Sequence, residues 1–295
     1  MDLKRTTPSV PEPPAPPDKL AILLRVGIFV FLAIVCQMVF GTIVHMVATT
    51  PSGQANEFLF VGSVMAVFAS AAISNGVALR IYEGSRMTRV GLGWSHGARQ
   101  TLFAGIGMGA VAAAVVILLP VIFQLASLEW KGSPQWVSFL FVSIVLLFGA
   151  FGEELLFRGY GFQALVKAFG PFQTILPISM FFGLVHAGNP GATPLGILNT
   201  VLWGVLLGFA YVRTGSLWLS IGLHYGWNWA LPLFGVNLSG FTLNVTGLTV
   251  HWRSGVLVSG GDYGPEGSLL TTAIVGVLFY MLWKAPLSKA PETTL

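Results

Sequence analysis

The sequence predicts an all-α, polytopic membrane protein, a bundle of about eight transmembrane helices. Three observations support this fold class: only 9% of the 295 residues are charged, 54% are hydrophobic, and the apolar residues form long runs. A soluble domain carries about 25% charged residues, and a disordered chain has few aromatic residues, whereas this chain has 22 Phe and 9 Trp. The composition therefore excludes a soluble enzyme, a secreted module and a disordered protein.

The long apolar runs give the expected positions of the helices. A helix that spans a bilayer needs about 20 mainly apolar residues. Eight runs come near or exceed that length, at about 20–48, 58–82, 101–126, 136–160, 172–188, 195–212, 216–235 and 268–284. We expect one bundle domain over residues 20–290, with a family-like core at 136–235.

Two segments fall outside the runs. Residues 1–19 are rich in proline, and we expect a short cytoplasmic arm there. Residues 236–267 form the long connector, expected on the extracytoplasmic side. Apolar and polar residues alternate around Thr246-Gly247, which is typical of a β-hairpin or of a packed lid.

The basic residues predict the orientation of the bundle. With a cytoplasmic N-terminus, the inside segments hold eleven Lys and Arg, and the outside connectors hold two, Lys131 and Arg253. Cytoplasmic loops carry the excess of Lys and Arg, so both termini are expected in the cytoplasm. The net charge is +4, but the Lys and Arg residues lie between apolar runs rather than on one amphipathic face. We therefore expect no nucleic-acid partner. The compact chain is more typical of a prokaryotic cytoplasmic membrane.

Ionisable side chains inside the predicted spans mark a candidate functional site, because burying one costs about 2.5–3.5 kcal/mol. The set consists of Glu153, Glu154 and Arg158 in the fourth run, His186 in the fifth, and His224 with Asn228 in the seventh. Other polar residues have simpler interpretations. Arg25 and His45 are expected to snorkel or line an interface, and Asn75 and Asn199 to pack between helices.

Helix geometry separates the two glutamates. Glu154 and Arg158 are four residues apart, so they share a face and can form a buried bidentate ion pair. Glu153 is rotated by about 100° and needs a partner from another helix, where the two histidines and the carboxamide are available. His224 and Asn228 are also four apart, so both can point into one cavity.

This inventory favours peptide hydrolysis without a covalent intermediate. A carboxylate and an imidazole can hold a water between them and take its proton as it attacks a carbonyl. An imidazole and a carboxamide on a neighbouring helix can donate hydrogen bonds to the developing oxyanion. The chemistry requires no Ser or Cys nucleophile and no cofactor.

Three motifs occur in order on separate spans. Glu153–Arg158 fits EExxxR, Phe182–His186 fits FxxxH, and His224–Asn228 fits HxxxN. The ordered set resembles the CAAX protease and bacteriocin-processing family, over about residues 136–235. The best-known branch of that family is the type II CAAX prenyl endopeptidases, which are intramembrane glutamate proteases.

The resemblance implies a role for each motif residue. Glu153 would be the general base, His186 would help to activate the water, and His224 and Asn228 would form the oxyanion hole. The supporting residues would be Glu154, Arg158 and Phe182. The expected substrate is the tail of a prenylated CAAX-type protein or a related hydrophobic peptide in the bilayer. Other family members process bacteriocins or act in immunity and peptide signalling.

Two alternatives to the glutamate protease stay open. A zinc metalloprotease could use Glu153, His186 and His224 as ligands, although the chain has no HExxH motif, and its single cysteine, Cys36, excludes a Cys-based metal site. A non-enzymatic transporter or scaffold could use the same residues as a proton relay, although the sequence shows no internal repeat.

A depth estimate leaves one inconsistency. At 1.5 Å per residue, Glu153 lies near the inside end of its span, His224 roughly 12 Å in, and His186 roughly 20 Å in. Either the fifth span begins later than drawn, or the helices are offset along the bundle.

Overall fold

The computed structural model describes residues 18–48 and 58–287, and helices dominate it. The helices are α1 (Lys19–Ala48), α2 (Phe58–Ala78), α3 (His96–Ile122), α4 (Trp136–Arg158), α5 (Tyr160–Phe169), α6 (Pro171–Val185), α7 (Pro194–Thr214), α8 (Leu217–Leu233), α9 (Val256–Ser259) and α10 (Leu269–Lys284). Shorter helical turns lie at Leu79–Glu83, Met87–Val90, His186–Gly188, Gly261–Tyr263 and Pro265–Gly267. Residues 1–17 of the expected Pro-rich arm lie outside the described residues.

Helices occupy all eight predicted runs, and the all-α membrane fold is confirmed. In the described part of the chain, five segments are long and apolar enough to cross a membrane: Lys19–Ala48, Phe58–Glu83, His96–Ile122, Trp136–Phe169 and Pro194–Thr214. Helices α6, α8 and α10 have only 15, 17 and 16 residues. The count of eight spanning helices therefore stays a prediction.

The outer surface of the bundle is apolar. Helix α1 packs against α2 and α5, and its other face exposes large apolar side chains such as Phe31, Met38 and Met46. A soluble protein seldom exposes a continuous apolar surface of this kind. Lipid chains are the natural environment for this face.

Helices α3 and α8 cross at very close range. Gly105 and Gly109 on α3 face Gly222 and Gly226 on α8, and a Cβ atom at Gly105 would lie 2.7 Å from the Leu219 carbonyl oxygen. Small residues allow this approach, which membrane helices use because no hydrophobic force draws them together in lipid. The crossing holds α8, which carries two of the predicted site residues, against the centre of the bundle.

A single residue, Gly159, separates α4 from α5. The side chain of Asn75 on α2 bridges the break: its Nδ2 donates to the Leu155 carbonyl oxygen at 2.9 Å, and its Oδ1 accepts from the Tyr160 N–H at 2.7 Å. Helix ends leave backbone groups without intrahelical partners. Asn75 satisfies the Tyr160 N–H and adds a second hydrogen bond to the Leu155 carbonyl oxygen, which also accepts from the Gly159 N–H. Asn75 thus packs between helices as expected, and it fixes the end of α4 that carries the EExxxR motif.

The β-hairpin predicted around Thr246-Gly247 is wrong. Strand β2 (Leu248–Trp252) pairs antiparallel with β1 (Ala126–Trp130), with Ala126 opposite Trp252 and Trp130 opposite Leu248. The partner strand begins at Ala126, the last residue of the third run, and lies mostly in the segment that follows that run, since α3 stops at Ile122. Alternation predicts a strand but does not identify its partner, and here the partner lies far away in the sequence.

We predict that Gly105→Ala lowers the thermal stability of the protein and that Gly107→Ala does not. A Cβ at Gly105 collides with the α8 backbone, whereas one at Gly107 meets nothing within 4 Å. Overpacking costs about 1–3 kcal/mol, and removing an unopposed helical glycine is neutral or gains up to about 1 kcal/mol. Unfolding midpoints of both variants in detergent would check this, and equal midpoints would contradict the crossing.

Candidate active site

The two adjacent glutamates of α4 have different surroundings. Glu154 is fully buried, whereas the Glu153 side chain is 27% exposed and lines a cavity. Successive helical residues point about 100° apart, so one carboxylate enters the packed interior and its neighbour does not. The separation expected from helix geometry is present.

Glu154 and Arg158 form a buried ion pair. Arg158 Nη1 lies 3.0 Å from Glu154 Oε1, and its Nη2 donates to the Gly204 carbonyl oxygen of α7 at 3.0 Å. The pair therefore uses one nitrogen–oxygen contact rather than two parallel ones. The guanidinium also lies 4.7 Å from the centre of the Phe182 ring, a distance that permits a cation–π contact.

His224 bridges the two carboxylates. Its Nδ1 lies 2.9 Å from Glu154 Oε1, and its Nε2 lies 3.7 Å from Glu153 Oε2. An ionised carboxylate only accepts hydrogen bonds, so Nδ1 carries the proton in the contact with Glu154. Glu154 thus orients the ring, a contact between α4 and α8 that sequence reasoning missed.

His186 reaches the same carboxylate from α6. Its Nδ1 lies 2.7 Å from the Phe182 carbonyl oxygen, and its Nε2 lies 3.8 Å from Glu153 Oε2. Because a carbonyl oxygen only accepts, Nδ1 again carries a proton and Nε2 faces Glu153. The Phe182 ring packs 4.7 Å from the His186 ring and 6.2 Å from that of His224.

The depth inconsistency arises from the bounds drawn for the fourth run. Helix α6 begins at Pro171, no later than drawn, and ends at Val185 immediately before His186. The apolar segment that carries Glu153 continues through α5 to Phe169, so Glu153 lies far from its inside end. The Glu153 and His186 side chains can therefore meet at a similar depth.

Glu153 Oε2 is buried and has no hydrogen-bond partner among the described residues. Both imidazole Nε2 atoms stand beyond direct hydrogen-bond distance from it, at 3.7 and 3.8 Å. A water placed among the three atoms can contact all of them. The arrangement brings together one acceptor oxygen and two ring nitrogens around one point.

These residues open onto a cavity of about 560 Å³. The wall is mainly apolar, and it includes Val26 and Phe29 of α1 and Phe60 of α2. Asn228 lies on the cavity wall one helical turn after His224, and in the described part of the chain no hydrogen bond engages its amide. The cavity can hold an extended apolar ligand across the carboxylate.

The described residues contain no group of three or more His, Cys, Asp or Glu arranged to hold a metal ion. The three groups named as possible zinc ligands, Glu153, His186 and His224, do converge. The Nδ1 atom of each histidine is already engaged: that of His186 contacts the Phe182 carbonyl oxygen, and that of His224 contacts Glu154.

Residues 134–230 match the family model described as type II CAAX prenyl endopeptidase Rce1-like. The matched segment, the Rce1-like domain, covers about a third of the chain. It runs from just before α4 into α8 and holds every predicted site residue. No curated protein and no solved structure matches the chain. The match supports a CAAX-type intramembrane protease in general.

Sequence reasoning missed a further acidic residue beside the cavity. Glu266 lies in the connector, yet it lines the same cavity as His186. Burial raises the pKa of Glu266 above its ordinary value, although hydrogen bonds from Ser239 and Trp227 oppose the shift. Burial also raises the pKa of the neighbouring Tyr263 to about 12. The sequence could have indicated Glu266, because the chain has only eleven acidic residues and each of them is therefore a candidate for a functional role.

We predict that Arg158→Met destabilises the protein strongly and that adding Glu154→Gln restores part of the loss. Removing one partner of a buried pair leaves an uncompensated charge and costs about 3–5 kcal/mol, and the second change removes that charge. Unfolding midpoints of the two single variants and the double variant would measure the coupling. Strictly additive losses would show that the two side chains do not stabilise each other.

Proposed function

We propose that this protein is an intramembrane glutamate endopeptidase. It hydrolyses a peptide bond near the C-terminus of prenylated CAAX-type proteins or of a related membrane-associated peptide. The observation that carries the proposal is the free Oε2 of Glu153, which faces the Nε2 atoms of His186 and His224. The Rce1-like domain supports the general class of the reaction.

The proposed reaction begins with a water beside Glu153. The carboxylate takes a proton from the water while the water oxygen bonds to the carbonyl carbon of the substrate. His186 orients the water, and His224 and Asn228 donate hydrogen bonds to the oxyanion that forms. The carbon–nitrogen bond then breaks, and the nitrogen leaves with the proton that Glu153 held. The products are a new carboxyl group and a new amine.

The charges around His224 support its role as a donor. Two carboxylates and the Arg158 guanidinium leave one excess negative charge in this buried cluster. A proton on His224 Nε2, added to the one on Nδ1, neutralises that charge. The doubly protonated ring then donates from Nε2, which is the geometry that an oxyanion requires.

The cavity supports a hydrophobic substrate. Its wall is mainly apolar, and Glu153, His186, His224 and Asn228 all line it. An apolar chain can therefore occupy one part of the cavity while a peptide bond lies at the carboxylate. A bacteriocin-type or other hydrophobic peptide would use the same groups, and only the substrate would differ.

We predict that Glu153→Gln reduces cleavage of a farnesylated CAAX peptide by at least about 100-fold, the scale of general-base catalysis. Purified wild-type protein and the variant would be compared by mass spectrometry of the products. Glu129→Gln is the matched control and should leave the rate unchanged, because the Glu129 side chain on β1 is exposed and does not line the cavity. Substantial cleavage by folded Glu153→Gln would contradict the assignment.

We also predict that chelators leave the cleavage rate unchanged, since the proposed water is activated by a carboxylate and not by a metal. The same peptide assay with and without chelator checks this. Loss of activity that returns on adding zinc would replace the glutamate mechanism with the metalloprotease. If folded wild type cleaves no prenylated or unmodified hydrophobic peptide, proton flux in liposomes would test the transporter alternative.

A further inference from the structure

Glu266 is held by three hydrogen bonds that the proposed mechanism does not use. The Trp227 indole Nε1 donates to Glu266 Oε1 at 3.1 Å, and the Ser239 hydroxyl donates to Oε2 at 2.8 Å. The Ser239 backbone N–H donates to the same Oε2. Hydrogen bonds to a carboxylate are stronger than those between neutral groups, so Glu266 joins one turn of the connector firmly to α8.

The backbone around Glu266 is itself anchored. Asn199 of α7 donates from Nδ2 to the carbonyl oxygens of Glu266 at 2.7 Å and Ser268 at 2.9 Å. The Thr271 hydroxyl donates to the Pro265 carbonyl oxygen at 2.7 Å. These hydrogen bonds to α7 and α10 fix the backbone that carries the Glu266 carboxylate. Asn199 thus has a packing role, as expected.

The turn that Glu266 holds, Leu238–Phe241, forms part of the cavity wall. Leu238 and Phe241 exchange backbone hydrogen bonds of 2.9 and 2.8 Å, and both line the cavity. Ser239 between them has a φ of +47°, a left-handed conformation that is unfavourable for serine. The hydrogen bonds to Glu266 offset that cost. Phe241 also packs on Phe60 of α2, with ring centres 5.4 Å apart.

The same part of the connector touches segments that carry the site. Gly240 donates its N–H to the Tyr263 carbonyl oxygen at 2.9 Å and packs against Pro190, four residues after His186. Gly191 packs on Asp262, where a Cβ would lie within 2.8 Å of the connector backbone. Trp227 is the residue before Asn228. The turn is thus held next to the segment that follows His186 and next to the residue that precedes Asn228.

We propose that Glu266 is a positioning residue that latches the turn Leu238–Phe241 across the cavity as its end wall. We further infer that this wall selects the size of the substrate residues released by cleavage. This second part rests on the proposed function. We assign the lipid chain to the part of the cavity lined by Val26 and Phe29, which pack against Gly161. The released residues then extend from Glu153 toward the turn, which packs on Phe60.

Hydrogen–deuterium exchange of the full-length protein in nanodiscs tests the latch without any substrate. Glu266→Gln replaces the carboxylate by a neutral amide. If the amide nitrogen faces Ser239, that residue loses its acceptor; if it faces Trp227, Ser239 keeps only a neutral and weaker acceptor. We expect exchange at the Ser239 amide to rise at least about tenfold, with β1 unchanged. Asp262→Asn is the matched control, because its exposed carboxylate in the same connector has no hydrogen-bond partner among the described residues. Unchanged exchange in Glu266→Gln would overturn the latch.

Cleavage of two farnesylated CAAX peptides, ending in alanine or in phenylalanine, tests the wall. Wild type should prefer the smaller residue, and the ratio of the two kcat/KM values should fall about tenfold in Glu266→Gln, within the range that a pocket wall provides. Phe241→Ala should lower the ratio in the same direction without disturbing the latch. Asp262→Asn should leave it unchanged.

The outcomes separate the two ideas. An unchanged ratio in both Glu266→Gln and Phe241→Ala, with active enzyme, would overturn the wall while the proposed protease stands. A wild type that cleaves neither peptide would count against the proposed function and against the wall that rests on it. The exchange measurement then still decides whether Glu266 latches the turn.

Discussion

The buried carboxylate of Glu154 is the group on which the rest of the site depends. One oxygen, Oε1, contacts Arg158 at 3.0 Å and His224 at 2.9 Å, and the side chain is fully buried. A buried charge without partners is strongly destabilising, so α4 and α8 must pack at the separation at which both groups reach it. That requirement fixes the orientation of the His224 ring and directs its Nε2 toward Glu153. The same contact thus serves stability and chemistry.

Close backbone contacts make this arrangement possible. In lipid, helices are held by packing and hydrogen bonds and not by exclusion of water. The glycines of α3 and α8 allow their backbones to touch. Asn75 satisfies the broken backbone between α4 and α5, where both its donor and its acceptor are used. Both contacts restrict the movement of a helix that carries a site residue. A hydrolytic site needs its groups held in place in this way.

The connector also makes close contacts with the segments that carry the site. It pairs β2 with β1, and its later part packs on the loop that follows His186 and on α8. The packed lid, one of the two structures expected for this segment, describes these contacts better than a hairpin. In the proposed function, such a lid separates the peptide from bulk solvent on one side of the carboxylate and gives the cavity a defined length.

The positions of the helices and the identity of the motif residues could be predicted from the residues alone, because apolar runs and i, i+4 spacing are local properties. The ion pair of Glu154 with Arg158 follows from one helix and was predicted. Three features needed the tertiary structure: the contact of His224 with Glu154, the approach of His186 to Glu153, and the approach of Glu266 from the connector. The pairing of β2 with β1 belongs with them. Each joins residues far apart in the chain, and such contacts depend on how helices slide and rotate against one another, which no local pattern records.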